Sequence, residues 1–311
     1  MSKSMLKFGA AMAAVLAFAA CAADSKPGPG TSGNQLPSAS SSSSSESASS
    51  AAPTDQPATL SVTAAEPAAN TYAFDTAGVK SVPAGPVAVT LLNSGTVTHQ
   101  ASIVKITDGD FDAYNTALVA QGAAGVAALG ENDGGPNSVD PGSSATATSL
   151  LTPGTYALVC FIPGAPDGKA HAQHGMVTKL VVTPPASSQT LAAGDQEITA
   201  QEFGYVVPAT FTGNGTFSFK NTGKQAHELA IWKLNAGASQ ADLVTYFSGQ
   251  PAGPPPATGV GGITAVDPGA TQNFDLKLAK GTYVFMCFLP DTSSDFQEHF
   301  KHGMITTVTV S

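Results

Sequence analysis

From about residue 58 onward, short runs of Val, Thr, Leu and Phe are broken by Gly, Pro, Asn and Asp. That is the pattern of partly buried strands separated by turns. It occurs twice. VAVTLLNSG (Val87 to Gly95) alternates into an Asn/Gly turn, and TFSFKNTG (Thr216 to Gly223) does the same later. Each is followed by a histidine and a further predicted strand, HQASIVKI (His99 to Ile106) and HELAIWKL (His227 to Leu234). VDPG turns at Val139 and Val266 each introduce another strand. GTYALVCF (Gly154 to Phe161) and GTYVFMCF (Gly281 to Phe288) predict strands that end on a cysteine. GMVTKLVVT (Gly175 to Thr183) and GMITTVTV (Gly303 to Val310) predict the closing strands. Between the first histidine and the VDPG turn, Ala-rich Phe111 to Leu129 predicts partial helix, and Gln240 to Phe247 a shorter one. Helix is excluded from PAGPPP (Pro251 to Pro256).

Short strands at this spacing predict an all-β chain of two tandem Greek-key β-sandwiches, each with a short helical insertion. Length alone allows one domain or two, and the internal repeat decides for two, 58–184 and 190–311. The boundary falls between Pro184 and Leu191. Ahead of them, residues 1–21 carry Lys3 and Lys7, an apolar run from Phe8 to Ala20, and Cys21. This predicts an export signal too short for a membrane span. FAAC (Phe18 to Cys21) resembles a bacterial lipoprotein signal, although Phe18 stands where that pattern prefers Leu, Val or Ile. The resemblance implies lipid attachment at Cys21, with ordinary cleavage near Ala22 as the alternative. Residues 22–57 are rich in Ser, Pro and Ala, with an unbroken run from Ser40 to Ser45. They predict a disordered linker that holds the folded part away from the membrane. The expected location is the outer face of the cytoplasmic membrane or the periplasm.

A formal charge of −9 and the lack of any arginine exclude a nucleic-acid partner, which requires clustered positive charge.

All six histidines fall into two trios, each near one of the only two cysteines outside the N-terminal segment. The first set is His99, Cys160, His171, His174 and Met176. The second is His227, Cys287, His299, His302 and Met304, with equivalent residues 127 or 128 positions apart. Imidazole, thiolate and thioether donors together point first to copper, with zinc as the lesser choice. The plainer readings are that Met176 and Met304 fill core gaps, or that Cys160 and Cys287 form an interdomain disulfide. Their matching places in separate repeats argue against the disulfide, which needs close Cα atoms. Glu228, where the first repeat has Gln100, reads as a solvated charge.

The order His, Cys, His, Met resembles the cupredoxins of the plastocyanin kind. NSGTVTH (Asn93 to His99) and NTGKQAH (Asn221 to His227) match the first element of that pattern. HAQHGM (His171 to Met176) and HFKHGM (His299 to Met304) match the second. The resemblance implies one type-1-like copper per domain. His99, Cys160, His171 and Met176 would hold the first, and His227, Cys287, His299 and Met304 the second. His174 and His302 are the alternative ligands. Ten residues separate Cys160 from the next histidine, and eleven follow Cys287, where plastocyanin has only two. Such loops can still close, but they predict a more exposed or more flexible site. One-electron transfer with a redox protein partner is the implied function. The alternative is copper capture, storage or delivery with a copper-trafficking partner. A copper oxidoreductase is disfavoured because the His-x-His pairs of such enzymes do not occur here. A metal-free interaction module would bind no metal stoichiometrically.

Overall fold

Alternating burial along Gly85–Asn93, with Val87, Val89 and Leu91 inward, shows how these strands build a two-layered core. The computed structural model describes residues 56–311 apart from 165–166, 186–187 and 250–252. The export signal, Cys21 and the linker through residue 55 lie outside the described residues.

The first repeat contains β1 (Ala58–Ala68), β2 (Thr71–Asp75), β3 (Ser81–Pro83), β4 (Gly85–Asn93), β5 (Ser102–Ile106), β6 (Gly130–Asn132), β7 (Ser144–Leu151), β8 (Gly154–Val159) and β9 (Val177–Thr183). The second contains β10 (Gln196–Gln201), β11 (Gly204–Val206), β12 (Asn214–Asn221), β13 (His227–Leu234), β14 (Ala257–Val266), β15 (Thr271–Lys277), β16 (Gly281–Met286) and β17 (Ile305–Val310). Helices α1 (Phe111–Gln121) and α2 (Ala123–Val126) interrupt the first repeat, and α3 (Gln240–Ser248) the second. Asp110 caps α1 by accepting the Ala113 N–H at 2.9 Å, and Ser239 caps α3 through Asp242 N–H.

One sheet of eight strands runs through both repeats in the order β11-β10-β12-β15-β7-β4-β1-β2. The join is β15 to β7, where Asn273 pairs with Thr148 and Phe274 with Ala147. Over one half lies the sheet β3-β9-β8-β5-β6, and over the other the sheet β14-β13-β16-β17. Leu60, Val62 and Val89 meet Ile103, Leu158 and Leu180 in the first core. Ile198, Phe217 and Phe274 meet Leu229, Ile263 and Phe285 in the second. Helix α1 covers the outer face of the first upper sheet through Tyr114 and Leu118, and α3 covers the second through Leu243. This double cover explains why the ends of β8 and β16 are buried on both faces.

The seam between repeats is a backbone zipper as well as a shared sheet. Segment 132–139 runs along β14, with Gly134 N–H donating to Ala265 O at 2.8 Å and Thr264 N–H to Gly135 O at 2.9 Å. Gly262 adopts φ +108°, and any Cβ there would drive into the Leu229 carbonyl oxygen. The aspartates of the two VDPG turns reach across in opposite directions. Asp140 accepts the Gly259 N–H, and Asp267 accepts that of Asn132.

Candidate metal centres

Each site is assembled from three places that the fold brings to one end of a sandwich. The first histidine follows a turn pinned by a buried asparagine. Asn93 donates to Val97 O and Val139 O at 2.7 Å each and accepts the Gly95 N–H at 2.8 Å. Asn221 repeats this with Gln225 O, Val266 O and the Gly223 N–H. The cysteine directly follows β8 or β16, and the second histidine opens a 3-10 turn, His171–His174 or His299–His302. Backbone bonds then close the loop onto the strand end. Ala172 N–H donates to Cys160 O, and Cys160 N–H to Met176 O, while Phe300 and Cys287 do the same in the second repeat.

In the first site, His99 Nδ1 and His171 Nδ1 face each other at 3.1 Å, with Cys160 Sγ 3.5 Å from His171 Nδ1. In the second, His227 Nδ1 and His299 Nδ1 are again 3.1 Å apart, and Cys287 Sγ is 3.3 Å from His299 Nδ1. All six residues are buried, at 0–1 % exposure. The long loops therefore do not open the sites as their length predicts. Bridges between Pro163 and Ala170, and between Pro290 and Glu298, fold each loop into a hairpin that returns the histidine to the cysteine. Met176 and Met304 are also fully buried, in the same cores as Cys160 and Cys287.

Burial drives the electrostatics. Loss of solvent pushes the Cys160 thiol up to about 12, partly countered by the N–H groups of Gln100 and Ile162. It pushes Cys287 higher still, with Glu228 adding to the rise. His171 and His299 are lowered to about 4 by burial, helped by the neighbouring His99 and His227. Two imidazoles turned nitrogen to nitrogen beside a sulfur bring three potential donor atoms together away from water. The donor atoms of each His/Cys/His group lie within 4.8 Å of one another. Such a dry set of two nitrogens and one sulfur fits copper.

His174 and His302 take other partners. Each Nε2 lies 3.0 Å from an aspartate, Asp167 and Asp295 respectively, at the outer end of its turn. Asp291, Asp295 and His302 also bring ligand atoms together near the surface. There, however, the Asp291 carboxylate is filled by donors from Gln225, Ser293 and Ser294, which shape the loop. Both cysteines are free, each facing its own imidazoles, so the disulfide alternative is not formed. Glu228 corrects the sequence reading: it is buried at 5 % exposure rather than solvated, and burial raises its carboxyl to about 7. The cause is its place at the seam, where it accepts from Asn137 and Phe288.

The sequence reading missed the outer partners of the histidines. Glu66 Oε1 lies 2.5 Å from His99 Nε2 and fixes that ring. Despite some burial, hydrogen bonds from Thr96 and His99 hold its carboxyl below the usual range. Glu202 is the counterpart, with its Oε1 3.4 Å from His227 Nε2, within ion-pair reach but without hydrogen-bond geometry. Gly223 makes room for it, since a Cβ there would come within 2.6 Å of both Glu202 Oε1 and His227 Nε2. Tyr72 stacks on the His171 ring at 3.9 Å and 12°. Phe203 holds the corresponding place at a looser 4.8 Å and 52° from His299.

Both repeats are two-layered β-sandwiches of the kind the cupredoxin resemblance implies, and each His/Cys/His group could hold copper. No family model and no curated protein matches the chain. Among solved structures, reduced auracyanin from Roseiflexus castenholzii is 26% identical over 39% of this chain and 99% of its own, with TM-score 0.25. Reduced rusticyanin is 25% identical over 41% of this chain and 81% of its own, with TM-score 0.27. A copper nitrite reductase from Nitrosomonas europaea is 16% identical over 81% of this chain and 94% of its own, with TM-score 0.25. All three TM-scores are low, so the reading of this chain rests on its own strands and donor atoms.

Proposed function

We propose that this chain is an exported, lipid-anchored copper protein that passes single electrons to and from a redox protein partner through two type-1-like sites. The observation that carries the reading is the convergence, twice over, of two Nδ1 atoms and a cysteine sulfur in a buried pocket. His99, Cys160, His171 and Met176 would hold one copper. His227, Cys287, His299 and Met304 would hold the other. Copper bound there supplies a one-electron Cu(I)/Cu(II) couple. The protein's part is to keep the donors still. Glu66 fixes His99, the asparagine-pinned turns fix the loops carrying His99 and His227, and the hairpin loops tie His171 and His299 to the cysteine strands. Burial excludes water and limits the rearrangement that accompanies a change of charge. Among the described residues, no helix is long and apolar enough to cross a membrane. The proposed membrane link is the lipid on Cys21.

Copper loading tests the reading. The mature protein should take up two copper ions and show an intense thiolate-to-copper visible band that Cys160→Ser and Cys287→Ser each reduce and together abolish. Copper bound weakly, without that band, would instead support capture and delivery.

A further inference from the structure

The seam between repeats also joins the two donor sets. Glu228 follows His227 in the chain, and its N–H points at Cys287 Sγ at 3.5 Å. Its buried carboxylate accepts the Phe288 N–H at 2.9 Å through Oε1 and the Asn137 side-chain N–H at 3.0 Å through Oε2. Asn137 belongs to the other repeat and is itself buried. Two residues further on, Val139 is paired with His99 by two backbone hydrogen bonds of 3.0 and 2.8 Å. Covalent and hydrogen bonds thus run without a gap from Cys287 and His227 to His99. The mirror-image contact is not made. Gln100, in the place of Glu228, donates to Ser102 at 3.2 Å, and the buried Thr264 hydroxyl, in the place of Asn137, has no hydrogen-bond partner among the described residues.

We infer that the chain relays an electron internally between its two sites, and that the Glu228–Asn137 hydrogen bond is the coupling element. This rests on the copper reading above. The step is a single-electron exchange: the copper of one donor set is oxidised from Cu(I) to Cu(II) as that of the other is reduced from Cu(II) to Cu(I). No bond breaks and no proton moves, and an external one-electron reductant supplies the first site. Electronic coupling falls off less steeply along bonds than across gaps. A hydrogen bond between buried groups substitutes for a covalent link at this seam. Tyr205 steadies it by donating to the Glu228 carbonyl at 2.6 Å, and a second bond from the Asn137 side chain to Ile263 O at 3.1 Å fixes the amide.

The test uses the full copper-loaded chain. Cys160→Ser and Cys287→Ser give the spectrum and potential of each centre alone. After a pulse of reductant on the oxidised parent, exchange between centres should appear as a phase independent of protein concentration. Asn137→Ala should slow that phase several-fold while both visible bands persist. In Cys160→Ser carrying Cu(II) only at the second site, NMR should find unpaired-spin shifts on the Asn137 side-chain amide that vanish in Glu228→Gln. An unchanged exchange rate in Asn137→Ala, or no spin density at Asn137, overturns the relay while leaving the copper reading intact. Loss of both visible bands in the parent would defeat the copper reading itself.

Discussion

The carboxylate of Asp267 holds Asn132 by two hydrogen bonds, 2.9 Å to its backbone N–H and 2.8 Å to its side-chain amide, although the residues belong to different repeats. Asp267→Ala leaves both donors without their partner and should cost about 1–3 kcal/mol in urea unfolding. Because β7 and β15 share a sheet, the described region should unfold in one calorimetric transition. Two separate transitions would show that the halves fold independently.

Asp133 lies near that contact and is half-buried, and its loss of solvent raises its carboxyl to about 6, with further upward pressure from Asp267 and Glu131. Lys105 and a hydrogen bond with Tyr156 oppose the rise only in part. With the folded value above the unfolded one, the folded state binds more protons between the two, so this residue lowers stability as pH increases through that range. Asp133→Asn should raise the melting temperature above about pH 6 and give no gain below about pH 4. An equal gain at both pH values would assign the effect to packing instead.

The paired histidines separate by role. His171→Ala and His299→Ala remove a nitrogen that faces the cysteine sulfur, and each should abolish the visible band of its own repeat. His174→Ala and His302→Ala remove groups held by Asp167 and Asp295 and should leave the bands in place. If a band disappears in His174→Ala or His302→Ala, the ligand assignment is reversed.

Glu66 orients His99 from outside the donor set. Glu66→Ala should weaken copper retention at the first site by about 10–100-fold in competition with a chelator, the range typical of lost outer partners. Glu202→Ala should do less, because its 3.4 Å approach to His227 is not a hydrogen bond. Equal losses would place the two glutamates in the same role.

Much of the fold was legible because the strands that matter alternate cleanly. HELAIWKL is β13 from end to end, and the helices expected from Phe111 and from Gln240 begin at those residues. β14 was not legible: ATGVGGITAV is glycine-rich and weak in strand propensity, and it is held as a strand by β13 and by segment 132–139 of the other repeat. The donor set could be read from matched spacing across the duplication. Glu66 and Glu202 could not, since they stand at unequal distances from the histidines they serve. Glu228 looked solvated for a related reason: its partner Asn137 is 91 residues away, and a buried charge satisfied at that range leaves no local trace.

The zipper along β14 also shields an exposed edge. Had the second half remained a free-standing module, the outer side of that glycine-rich strand would present a bare row of amides and carbonyls, inviting fibril-like association. Segment 132–139 occupies that row. Separated from the first repeat, the second would therefore expose that row to other chains.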